Sequence, residues 1–73
     1  MILNKDIARE INLLMLKIGS DIDKSIAMVK DNCTQEEFDA YRKAAGKIMG
    51  NMLLEIMNPI YKTHPELKPK EMK

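Results

Sequence analysis

Apolar residues recur at Ile7, Ile11, Leu14, Ile18, Ile22, Ile26, Val29 and Cys33. Steps of three and four hold one face of a helix in register for about seven turns, which predicts a long amphipathic helix over about 4–32. The added step of four between Ile18 and Ile22 moves the pattern off a strict heptad, so straight bundle packing is expected instead of a supercoil. Gly19-Ser20 is the weak point: glycine costs roughly 1 kcal/mol in a helix interior, and Ser20 with Asp23 resembles a fresh helix start. A break there would give three helices. The apolar phase is unchanged across it, which favours an unbroken helix with a possible kink.

Thr34-Gln35-Glu36-Glu37 has the spacing of a capping box, with Cys33 and Phe38 in the positions of a hydrophobic staple. A second helix over about 35–58 carries Phe38, Tyr41, Ala45, Ile48, Met49, Met52 and Ile56 on one face. It is expected to stop or kink at Asn58-Pro59, where proline lacks an amide. So short a connection makes the two helices an antiparallel hairpin. With Pro59, Pro65 and Pro69, residues 59–73 are expected to form a short helical turn and then an extended tail bearing an exposed His64.

Each helix shows a second face. Leu13 and Leu16 lie opposite the first stripe, and Gly46, Gly50, Leu53, Leu54, Met57 and Tyr61 gather away from the Phe38–Ile56 stripe. These eight residues are the candidate interface. Gly46-x-x-x-Gly50 is the spacing that lets helices approach closely, and Met57 is the best surface candidate among the methionines, with Met49 and Met52 as core filler. Tyr61 could dock the tail onto the bundle or meet a partner. The expected architecture is an all-α hairpin that dimerises into a four-helix bundle.

Length sharpens that expectation, since 73 residues form one domain too small to bury a comfortable core unaided. A single cysteine, Cys33, permits no internal disulfide, and with one histidine no Cys/His zinc set can be assembled. Self-association is the remaining aid. The lone thiol and the early charges of Met1–Arg9 suggest a cytoplasmic protein.

Twelve basic and eleven acidic residues are spread evenly over both halves, which argues against a nucleic-acid footprint. The most apolar run, 44–57, contains Lys47, Asn51 and Glu55 and is too short to span a membrane. Ser20, Ser25 and His64 match no nucleophilic motif, Glu-x-x-His is absent, and no glycine-rich loop follows a strand. Glu55 reads as a solvated residue at the edge of the stripe. No catalytic residue, metal, cofactor or small-molecule substrate is expected. The functional expectation is a homodimeric, non-catalytic interaction protein: an adaptor, an inhibitor, or a regulator of the antitoxin or immunity type. The alternative is a structural subunit that folds with a different helical partner in a larger assembly.

Overall fold

The computed structural model describes residues 1–69 and is all-α, an antiparallel helical hairpin with no strand among the described residues. Helix α1 spans Lys5–Asn32, and α2 spans Gln35–Met52. A π-helical turn over Leu53–Met57 leads directly into α3, Asn58–Thr63, and a 3-10 turn over Pro65–Leu67 comes next. Residues 70–73 of the expected tail lie outside the described residues.

Asn4 begins α1, its side chain accepting from the Ile7 amide at 3.2 Å. The helix then runs unbroken through Gly19-Ser20. At the far end the Glu37 amide donates to the Thr34 hydroxyl at 3.2 Å, while the Glu37 carboxylate accepts from the Thr34 amide at 3.0 Å. Both halves of the capping box are thus formed. The hydrogen bonds to Thr34, backbone first and hydroxyl second, hold the Glu37 carboxyl below its ordinary range. Of the two staple residues, Cys33 is exposed and Phe38 half-buried, with the Arg42 guanidinium 5.6 Å above the Phe38 ring.

Helix 2 does not stop at Asn58-Pro59. Ala45, Met49, Leu53, Met57 and Tyr61 are spaced by fours, and in a plain α-helix such a row drifts steadily round the axis. The wider π turn, marked by the bond from the Asn58 amide to the Leu53 carbonyl, offsets the drift. It also lies just where Pro59 would crowd the carbonyl four residues before it. The helical path therefore passes the proline and keeps Met57, Ile60 and Tyr61 turned inward, all of them buried.

Beyond α3, residues 64–67 pack against the hairpin instead of extending as a tail. Ile60, with no exposed surface, meets Ala8, and Ile2, Ile11, Met15 and Leu67 close around them. His64 is buried at 8% exposure, not solvated, and its Nε2 donates to the Ile2 carbonyl at 2.8 Å. Because a carbonyl only accepts, that nitrogen carries the ring proton. The Tyr61 hydroxyl donates to Asn12 Oδ1 at 2.6 Å, and Asn12 Nδ2 donates to the Leu67 carbonyl at 3.4 Å. A buried asparagine on α1 thus ties down both α3 and the 3-10 turn. Burial raises the Tyr61 pKa above its ordinary value.

Ile11, Ile18, Ile22, Ile26 and Val29 of the expected stripe are half-buried, but at the terminal end the inward face of α1 is shifted. Ala8 and Asn12 are buried, while Ile7 and Leu14 are exposed. Ala8 and Asn12 lie where Ile60 and Tyr61 pack onto α1, and the larger Ile7 and Leu14 are left on the flank. On α2, Ile48 is likewise exposed and Ala45 buried.

Candidate functional site

An open groove of about 610 Å³ runs between the two arms. Leu16, Gly19, Ser20 and Asp23 form its α1 wall with Met15; Met49, Gly50, Met52, Leu53 and Met57 form the other. Four methionines give it a deformable apolar floor. A Cβ placed on Gly19, Gly46 or Gly50 would meet nothing within 4 Å, so none of the glycines is needed for packing within the hairpin.

Four of the eight residues proposed from sequence, Leu16, Gly50, Leu53 and Met57, line this groove. Leu53 is half-buried, and Met57 is buried at its base rather than presented on the surface. Leu13 and Leu54 are exposed beyond the groove walls, Leu54 at 66%, and Gly46 is exposed one turn before Gly50. Tyr61 takes the tail-docking role, turned into the core toward Asn12. Asp23 and Gly19, which also line the groove, are not among the eight. Asp23 was legible as the heptad neighbour of Leu16.

Helical spacing aligns two rows along this flank. On α1, Leu16, Asp23 and Lys30 are seven residues apart; on α2 and the start of the π turn, Asp39, Gly46 and Leu53 are. Leu16 and Leu53 share the groove. The Ser25 hydroxyl, which donates to the Ile22 carbonyl, lies 2.7 Å from the Tyr41 hydroxyl and fixes the level of the arms nearer the loop. Asp23, Lys30, Asp39 and Arg42 form no ion pair among the described residues, Asp39 instead accepting from Gln35 Nε2 at 2.9 Å.

No three His, Cys, Asp or Glu side chains converge on a metal-sized site among the described residues. No helix among them is long and apolar enough to cross a membrane. The nearest thing to a polar cluster is His64 Nδ1, 3.7 Å from Glu66 Oε1, which Lys5 also approaches at 3.4 Å. The Glu66 carboxyl is held below its ordinary range, first by a backbone hydrogen bond and then by Lys5 and His64. These three side chains fasten the N-terminal segment to the last turn. Comparison with family models, curated proteins and solved structures gave no match.

Proposed function

We propose that this protein is a non-catalytic interaction module that works as a homodimer, two hairpins closing their grooves on each other as a four-helix bundle. The observation that carries this reading is surplus surface. The chain exposes 5543 Å², whereas a folded monomer of its mass exposes about 4,600 Å². Its radius of gyration is 14.4 Å, against about 11 Å for a compact domain of this length. One long face measures 44 by 20 Å, comparable with the roughly 800 Å² that each partner contributes to a standard interface.

The charge order along the groove supports a second copy as the occupant. A two-fold axis parallel to the hairpin sets α1 of one copy against α2 of the other at equal height and antiparallel. Leu16 then faces Leu53, the bare Gly46 leaves room for Asp23 within a turn of Arg42, and Lys30 faces Asp39. Each contact occurs twice by symmetry.

Light scattering behind size exclusion, run on wild type, Lys30→Glu, Asp39→Lys and the double variant, tests this. Each single reversal should weaken the dimer several-fold, since it sets like charges together twice. The double variant should recover it. Gly50→Ala gives an independent sign: the monomer helix gains roughly 0.5–1 kcal/mol while the crowded seam loses affinity. A wild type that stays monomeric at all concentrations would refute the reading.

A further inference from the structure

We infer that the flank opposite the groove is a docking surface for an amphipathic helix of another protein, one with an aliphatic stripe bordered by lysine or arginine. On α1 this flank carries Ile7, Leu14 and Ile18; on α2 it carries Tyr41 and Ile48, seven residues apart. The Ser25–Tyr41 hydrogen bond ties the Ile18 row to the Tyr41 row, so the two arms form one continuous surface. Ile7 is 51% exposed, Leu14 47% and Ile48 56%, and Tyr41 also stays outside the core. Exposed aliphatics aligned over several turns are the form in which helical partners are read.

Charge decides the occupant. The acids on this flank are Glu10 and Asp21 beside Leu14, and Glu37 and Glu55 above and below the Tyr41–Ile48 pair. Asp21 is engaged by Lys17 at 3.2 Å and Glu37 by its capping box, which leaves Glu10 and Glu55 without an ion pair among the described residues. Against these four acids stand two bases at the outer edge of α1, Lys17, which holds Asp21, and Lys24, while Lys47 is one step round α2 and away from α1, so the flank stays net acidic. A second copy brought here on the same two-fold would set Glu10 near Glu55, acid against acid. The groove flank is self-complementary; this one is not. A helix with basic borders meets both free carboxylates while its stripe covers Leu14 and Ile48. The flank is open to such a helix whether or not the groove dimerises.

The probe is a fluorescein-labelled synthetic helix of about 18 residues, five turns, with leucine at i, i+3, i+4 and i+7 and lysine elsewhere. A glutamate version serves as its control. Anisotropy titrations should show the lysine peptide binding wild type, and Leu14→Asp, Ile48→Asp and Glu10→Lys/Glu55→Lys weakening it about tenfold or more. Leu16→Asp, in the groove, should bind as wild type does. Circular dichroism checks that each variant is folded, which is expected because all these positions are exposed. The inference is overturned if the glutamate peptide binds equally, if the flank variants bind unchanged, or if Leu14→Asp halves the scattering mass. That last result would assign the flank to self-association. Failure of the groove dimer would show in the wild-type mass alone, so the two readings fail separately.

Discussion

The two ends of the hairpin are built differently. Where the termini meet, Ala8, Asn12, Met57, Ile60, Tyr61 and His64 are buried, and hydrogen bonds from Asn12, Tyr61 and His64 cross between distant segments. Toward the loop, among the described residues, only Ala45 is buried, while Ile22, Ile26, Val29 and Phe38 are half-covered and Met28, Tyr41 and Ile48 exposed. Two helices have no third layer to close over them, and at the terminal end α3 and the 3-10 turn supply one. The loop end has none of its own. An incomplete layer at one end is what a second copy can finish.

Substitutions should separate the ends by size of effect. Ile60→Ala empties the best-packed position and should cost about 2–5 kcal/mol in urea unfolding. Ile26→Ala, the same truncation at a half-buried position near the loop, should cost about 1 kcal/mol in the monomer. Equal losses would mean the loop end is as well packed as the terminal end. Next in size, Tyr61→Phe leaves Asn12 Oδ1 without the hydroxyl donor and should cost about 1–3 kcal/mol. Because burial raises the folded Tyr61 pKa, its stability contribution is whole below the ordinary value of 10.0 and is lost as pH rises through the folded value. Wild type should therefore lose more stability in alkali than Tyr61→Phe does.

The hairpin was readable in the sequence for local reasons. Thr34 and Glu37 announce the second helix by chemistry confined to four residues, and unbroken phase across Gly19 announces the first. Misplaced features were those decided by contacts between distant segments. Asn58-Pro59 reads as a stop or a kink, and the π turn that carries the helical path through it leaves no local mark beyond the row of fours from Ala45 to Tyr61. Ile7 and Leu14 read as core because hydrophobicity outranks size in a periodicity argument, whereas Ala8 and Asn12 are what fit beneath Ile60 and Tyr61. His64 reads as a tail residue because only the fold brings the Ile2 carbonyl to its ring. Of the eight candidate interface residues, Leu16, Gly50, Leu53 and Met57 come together along the groove, while Tyr61 is held by Asn12, a polar position that only the folded chain puts beside it.

Smaller effects sharpen the contrast. Thr34→Ala should cost about 1 kcal/mol through loss of the cap. Glu37 at the loop and Glu66 at the termini both have lowered folded pKa values, so each contribution is whole above the ordinary 4.5 and is lost as pH falls through the lower folded value. As pH is lowered from 4.5, stability should fall more steeply for wild type than for Glu37→Gln. In hydrogen exchange, amides of residues 22–45 should open before those of 8–15 and 57–61 in dilute protein, and should gain protection as concentration rises. Protection independent of concentration would place the missing layer elsewhere.

Light scattering behind size exclusion, over a hundredfold range of concentration, tests the incompleteness of the single hairpin most directly. A species near twice 8.4 kDa that dissociates on dilution, and that Leu16→Asp in the groove wall abolishes, is the predicted result. A folded monomer of 8.4 kDa at every concentration, with residues 22–45 already protected, would contradict it.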